Sequence, residues 1–358
     1  MFFGHSWLAG QIANVLLGSS VVLLTFMIGR LLLPPFQARI ATVLVAFSPS
    51  LIAYTAVLGT ETLFSALLLL LLLIVVRHGP QPTMSASVLF GVVLGLTWWV
   101  RGTLLLYPGI LIVAMLISGV GIRRSARTFA MVFLVAFIVI FPWTVRNAIV
   151  LDAPVLISTN GGTNFWKGNN PDATGAWMVL PESDPLKEYA DASEEATRNR
   201  EGYLLGLRYI TSHPIEWTSI LPKKVWHLWA SDMSGVSWST QSTERVVPAR
   251  LITTMKVVAQ SYWAVLVVLV LSTILFRPLR LSWLSFPGNL LPLTIVYWTL
   301  FHMLLFGDGR FHLPLIPVFA ILATQTVFCV SARWLSPPGF ALSQRGSLSR
   351  SSSKDVKS

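Results

Sequence analysis

Charge is what this chain lacks most. Only 11% of its 358 residues are Asp, Glu, Lys or Arg, where a soluble domain carries about 25%. That scarcity excludes an ordinary cytosolic enzyme, and a composition 54% hydrophobic excludes a disordered chain. A single cysteine, Cys329, excludes an intramolecular disulfide, a disulfide scaffold and a cysteine-based metal site. No Gly-x-x-x-x-Gly-Lys loop, dinucleotide fingerprint, His-Glu-x-x-His helix or Gly-x-Ser-x-Gly elbow occurs. A cytoplasmic nucleotide-driven machine is therefore disfavoured. Residues 1 to 8 have no basic stretch ahead of the first apolar run, so they do not make a signal peptide. No internal repeat is detectable.

What is present is apolar sequence in long runs, with a mean hydropathy of +0.68. A helix needs about 20 apolar residues to cross a hydrocarbon core. Nine stretches meet or approach that length, near 9–29, 40–58, 60–76, 85–100, 103–121, 128–145, 257–276, 288–306 and 312–330. The expected fold class is an all-α polytopic membrane protein of about nine transmembrane helices with a small α+β extracytoplasmic segment. Its expected divisions are transmembrane helices 1 to 6 in 1–145, an extracytoplasmic segment in 146–253, helices 7 to 9 in 254–332 and a disordered basic cytoplasmic tail in 333–358. Only Arg101 and Gly102 part the fourth and fifth stretches, which predicts a tight reversal there, with one long kinked helix as the alternative.

The net charge of +11 would suggest nucleic acid were it not segregated. Between Thr144 and Thr253 lie 12 of the 15 acids and 10 of the 26 bases, leaving 16 bases against Glu61, Asp308 and Asp355 elsewhere. The basic excess thus belongs to membrane loops and the tail, and no nucleic-acid partner is expected. Arg30, Arg39, Arg77, Arg123, Arg124, Arg127, Arg277, Arg280 and the tail bases fall on one side, which the positive-inside rule makes cytoplasmic. The protein is expected to be multi-pass, in the bacterial cytoplasmic membrane, with 146–253 outside.

Within that segment, Val155–Thr159 and Ala176–Leu180 read as short strands and Asn160-Gly161-Gly162 as a turn. Residues 186–212 read as a helix with Tyr203, Leu204, Leu207 and Ile210 on its apolar face. The stretch after Pro214, with Trp217, Trp226 and Trp229 beside Lys223 and Lys224, reads as an interfacial amphipathic helix.

An ionisable side chain at membrane depth is expensive and so is a functional candidate. Glu61, Arg101, Arg146 and Arg310 are all expected near the external face, around one cavity. A lone arginine there also commonly snorkels to lipid headgroups, and a glutamate at a helix start is favourably placed in its own right. The stretch Asn160–Pro171, with Asn164, Lys167 and Asn169, gathers glycines, amides and a lysine able to bind sugar hydroxyls or a phosphate. His302 and His312 flank Asp308 and Arg310, with His213 and His227 in the external segment. No cofactor is demanded by any motif. A divalent metal stays open, although no metal ligand is assigned, because the spacing of the histidines does not itself build a site.

Four motifs then resemble, in order, those of the type C glycosyltransferases, in the branch similar to dolichyl-phosphate-mannose protein mannosyltransferases (glycosyltransferase family 39) and aminoarabinose lipid A transferases. They are Gly59-Thr60-Glu61-Thr62-Leu63-Phe64, Phe141-Pro142-Trp143-Thr144-Val145-Arg146-Asn147, the Gly161–Pro171 stretch and Gly309-Arg310-Phe311-His312-Leu313-Pro314. The resemblance implies transfer of a sugar from a polyprenyl-phosphate carrier to a protein, lipid or glycan acceptor outside the membrane. It implies Glu61 as the catalytic acid or base, Arg310, Arg146 and Arg101 on the donor phosphate, and Asn164, Lys167, Asn169 and His312 on substrate. It also implies a further helix and an acidic external loop ahead of Met1, so the chain is expected to start after them. A polytopic transporter and an inactive or accessory relative are the competing readings.

Overall fold

The computed structural model describes residues 7–189, 191, 194–241, 246–275 and 285–335, the last four by backbone alone. Among the described residues it is an assembly of helices with no strand. In chain order they are α1 (Trp7–Leu32), α2 (Pro35–Ala46), α3 (Pro49–Thr55), α4 (Glu61–His78), α5 (Met84–Val100), α6 (Pro108–Ile117), α7 (Ile122–Leu151), α8 (Asn160–Gly168), α9 (Glu195–Ser212), α10 (Pro214–Trp229), α11 (Ser234–Thr240), α12 (Ala249–Ser272), α13 (Leu290–Leu304) and α14 (Ile316–Leu335). Residues 276–284, with Arg277 and Arg280, and the tail from 336 on lie outside the described residues.

Among the described residues five helices are long and apolar enough to cross a membrane: α1, α4, α7, the Ala249–Leu275 segment and the Gly309–Ser331 segment. A sixth is obtained if α2 and α3, bent by 51° at Phe47-Ser48, count as one span. This is a multi-pass membrane protein. The expected count of nine is not confirmed, because Met84–Val100, Gly102–Ile117 and Leu290–Leu304 are apolar but have only 10 to 17 residues each.

The burial pattern follows from composition. The α4 helix is a run of leucines apolar on every side, and it occupies the centre with Leu68, Leu69, Leu71 and Leu72 fully enclosed. Residues 309–331 pack there too, with Val318, Ala320 and Ala323 enclosed. Helices α1, α7 and α12 lie outside and leave Leu16, Leu23, Phe137, Ile138, Val265 and Val268 exposed. Such a surface is tolerable only against lipid.

Small residues set the helix crossings. A Cβ at Gly91 would stand 2.7 Å from that of Val135, and one at Gly95 2.5 Å from that of Val139, so α5 and α7 touch backbone to side chain. Both partners advance by four, so these helices run parallel. A four-residue link returns α6 onto α7, with Leu111 facing Val132 in one small pocket. Helix α5 therefore runs antiparallel to α6, and the reversal expected at Arg101-Gly102 is present. Arg101 breaks the helix in extended backbone (φ −155°, ψ 136°), and a short 3₁₀ turn, Gly102–Leu104, begins the return.

The two expected strands do not form. The carbonyls of Val155, Leu156 and Ile157 accept from the Asn147, Thr144 and Trp143 side chains of α7, so that segment is strung along a helix end instead of pairing with a strand. Of Ala176–Leu180, only Ala176 forms an isolated bridge, to Gly307. The expected Asn160-Gly161-Gly162 turn is the start of α8. Its glycines serve a helix crossing, since a Cβ on Gly162 would lie 1.7 Å from the Asn199 carbonyl of α9. Gly202 and Gly206 meet Gly162 and Phe165 from the α9 side. The glycine face thus makes the close backbone contact, Tyr203 adds its ring 5.7 Å from that of Phe165, and Leu204 and Leu207 stay exposed.

Candidate functional site

Four segments meet at one end of the bundle: the start of α4, the break at Arg101, the Leu305–Arg310 turn and α11. Glu61 is the first residue of α4, where the helix dipole favours a carboxylate. It is only 4% exposed. Arg101 answers it, donating to Glu61 Oε1 through Nη2 and to Thr60 Oγ1 through Nε at 2.8 Å. The extended Arg101 backbone makes this reach available, and the guanidinium also lies over Phe64, 5.8 Å from the ring centre. Gly59 has no room for a side chain, because a Cβ there would sit 2.3 Å from Glu61 Oε2.

The Leu305–Arg310 turn is threaded between backbones that only glycine permits. A Cβ on Gly168 would lie 1.7 Å from Leu305 O, one on Gly307 2.0 Å from Lys224 O and one on Gly309 2.1 Å from Ser231 O. Asp308 caps the following 3₁₀ turn, Oδ1 accepting from Arg310 N at 2.9 Å. Its Oδ2 stands 3.5 Å from Arg310 Nε, too long for a sound hydrogen bond, and Nε has no hydrogen-bond partner among the described residues. The Arg310 guanidinium is sandwiched between Trp238 (5.2 Å) and Phe311 (4.9 Å). Close by, half-buried Lys167 lies 4.7 Å from the Trp177 ring centre with no carboxylate partner. Burial lowers its ammonium pKa, and Arg310 and then Lys187 lower it further.

What holds α8 to this turn is a fully buried lysine that the sequence reading had placed on the amphipathic helix surface. Lys224 donates to Asn169 Oδ1 at 2.8 Å and to Met303 O at 3.0 Å. With two neutral acceptors and no carboxylate, burial pushes its pKa down to about 7. Asn169 also accepts from Trp217 Nε1 and donates to Phe165 O and Leu304 O. Asn169 was expected to face substrate. It is instead fully committed inside the protein, because it ties α8, α10 and the 304 turn together.

His312, also expected at substrate, has no exposed surface. Its Nδ1 lies 2.7 Å from Leu228 O and its Nε2 3.1 Å from Asp232 Oδ1. The ring stacks on Trp263 at 4.0 Å with 3° between planes. Asp232 Oδ2 and the hydroxyl of Tyr54 are buried without a partner among the described residues. Both residues belong to this site. Ser50, one turn before Tyr54 on α3, donates to Asp232 O at 3.0 Å, and Gly235 of α11 lies against the Tyr54 ring. Sequence reading missed Tyr54, Lys224, Asp232 and Trp238. Only Asp232 left a signal, as an isolated acid in the apolar stretch Trp229–Val236.

Glu61, Arg101, Arg310, Lys167 and His312 are therefore brought to one region. Arg146 is not part of it; it donates to Asn147 Oδ1 at 3.0 Å and lies 4.9 Å from the Trp143 ring centre, exposed on α7. Asn164 is half-buried on α8 with no hydrogen bond through its side chain. Among the described residues no group of three or more His, Cys, Asp or Glu is arranged to hold a metal ion. Comparisons of the chain with protein-family models, with curated proteins and with solved structures give no match.

Proposed function

We propose that the protein is a glycosyltransferase of the cell envelope that moves a sugar from a polyprenyl-phosphate carrier to a protein, lipid or glycan acceptor on the extracytoplasmic face. The observation that carries this reading is the pair of cations at the bundle end. Arg310 is held between two aromatic rings with a weakly engaged Nε, and Lys167 beside it has no carboxylate. Two under-neutralised cations at the rim of an apolar bundle suit a ligand with an anionic head and a hydrocarbon tail. In a low-dielectric setting they would stabilise the charge that a leaving phosphate develops.

Orientation is supported by the opposite end. Arg77 closes α4 about 25 Å from Glu61, at roughly 1.5 Å per residue. Arg30, Arg39, Arg123, Arg124 and Arg127 belong to the same end, and Arg124 donates to Gln81 across it. Basic loops there support a cytoplasmic reading of that end and an external reading of the site. In this reading Met84–Val100, Gly102–Ile117 and Leu290–Leu304 also cross, which restores nine spans in a bacterial cytoplasmic membrane, and Arg101 and Glu61 act as a mutually neutralised pair that shapes the pocket. The protein belongs, in this proposal, with the type C glycosyltransferases its motifs resemble.

The test is binding of undecaprenyl phosphate by the protein in nanodiscs, followed through tryptophan fluorescence, because Trp238 lies against Arg310. Saturable quenching is expected, weakened at least tenfold in Arg310→Ala and in Lys167→Ala. Equal binding by all three proteins would remove the basis of the reading.

A further inference from the structure

We propose that Asp232 is the base that takes the proton from the attacking hydroxyl of the acceptor, with Tyr54 and Arg310 positioning that hydroxyl and His312 holding the carboxylate. This deepens the transferase reading and rests on it. No sequence motif points to Asp232; the geometry does.

Asp232 is 2% exposed and fixed on every side but one. Its N–H donates to Gln260 Oε1 at 3.0 Å, its carbonyl accepts from Ser50 Oγ, and Oδ1 faces His312 Nε2. Only Oδ2 is uncommitted. A buried carboxylate oxygen without a donor is costly, so its retention points to a ligand that donates to it.

His312 fixes the carboxylate in place. Leu228 O can only accept, so Nδ1 carries a hydrogen. Nε2 then shares a proton with Asp232 Oδ1 across 3.1 Å, and stacking on Trp263 locks the ring. Oδ1 is thus committed to His312 while Oδ2 is left for a ligand.

Four buried side-chain atoms have no partner among the described residues; Asn289 Oδ1 lies apart, near Ala114 and Ser118, whereas Asp232 Oδ2, Tyr54 Oη and Arg310 Nε come from segments packed on one another. Helix α11 joins them: Gly235 lies against the Tyr54 ring and Trp238 against the Arg310 guanidinium. Tyr54 is within electrostatic reach of Glu61, Asp308, Arg310 and Asp232. A hydroxyl bound here would donate to Oδ2 and accept from Tyr54 or Arg310.

The acceptor oxygen forms its bond to the anomeric carbon while its proton passes to Asp232 Oδ2. The bond from that carbon to the phosphate oxygen breaks, and the phosphate leaves with the electron pair, held by Arg310 and Lys167.

The experiment measures release of free polyprenyl phosphate from mannosyl, glucosyl and aminoarabinosyl polyprenyl phosphates, each offered with cell-envelope extract as acceptor to protein in nanodiscs. Asp232→Asn is expected to lower release at least 100-fold while binding undecaprenyl phosphate within twofold of the unaltered protein. Asp232→Glu should restore part of the rate, and its pH profile should keep an acidic limb that Asp232→Asn lacks. Tyr54→Phe removes one unpartnered hydroxyl, so it should melt no lower than the unaltered protein yet lose at least tenfold in rate; it decides the matter if Asp232→Asn fails to fold. Release within threefold of normal in either folded variant would overturn the role of this site and leave the transferase reading standing. No release from the unaltered protein with any donor, together with no undecaprenyl phosphate binding, would overturn both.

Discussion

Replacing Lys224 with Met should remove a specific pH dependence of stability. The Lys224 ammonium is fully enclosed, and its pKa falls from 10.5 to about 7 on folding. Between those values the unfolded chain binds a proton that the folded protein does not, so stability rises with pH across that window and flattens above 10.5 and below 7. At 1.36 kcal/mol per pH unit for a full proton difference, this one group makes the folded protein about 2 kcal/mol more stable at pH 9 than at pH 7. With about 2.1 cal/mol/K of unfolding entropy per residue, that is about 3 °C in melting temperature. The methionine fills similar space with no charge. It leaves Met303 O without its donor, at a cost of about 1 to 3 kcal/mol, while Asn169 Oδ1 keeps Trp217. Tryptophan-monitored melts in detergent at pH 7, 8 and 9 should show the slope in the unaltered protein and a slope flatter by about 3 °C in Lys224→Met. An identical slope in both would refute the argument that this lysine is buried and shifted.

Three further outcomes follow from the same geometry. Gly168→Ala places a Cβ 1.7 Å from Leu305 O, so it should cost about 3 kcal/mol by backbone displacement, read as a lower melting temperature. Glu61→Gln leaves Arg101 facing a neutral amide and should destabilise by about 1 to 3 kcal/mol while abolishing sugar transfer in protein that still folds; full transfer activity would remove Glu61 from the site. Tyr54→Phe should raise stability by about 1 kcal/mol, since it deletes a buried hydroxyl with no partner in the protein, and a clear loss in a melt would show that the hydroxyl is satisfied.

Much of the fold was legible because the membrane imposes a simple rule: each expected apolar run has a helix at its place. The run at 40–58 became two helices because Phe47-Ser48-Pro49 interrupts it, with Ser48 capping the second. The site was legible where charge alone marks it. Glu61, Arg101 and Arg310 stand out in apolar surroundings, and the structure brings them to one end. The rest depended on distant segments meeting. Tyr54 reads as one more aromatic in an apolar helix until α11 packs on it, and Lys224 reads as an interfacial cation until the Gly307 turn crosses its backbone. Gly161 and Gly162 suggested a turn, whereas Gly162, with Gly202 inside the expected 186–212 helix, brings α8 and α9 into backbone contact. Nothing local distinguishes a glycine that bends the chain from one that lets another chain segment approach.

The central claim is that the cationic bundle end takes the phosphate of a lipid-linked sugar and releases that phosphate as the sugar moves. The most direct measurement is thin-layer or mass-spectrometric detection of free polyprenyl phosphate when purified protein in nanodiscs meets mannosyl, glucosyl and aminoarabinosyl polyprenyl phosphates with cell-envelope extract. Release from at least one donor is expected, lost on changing Arg310 to Ala in protein that remains folded. Release unaffected by Arg310→Ala, or none from any donor in protein shown to be folded, would contradict it.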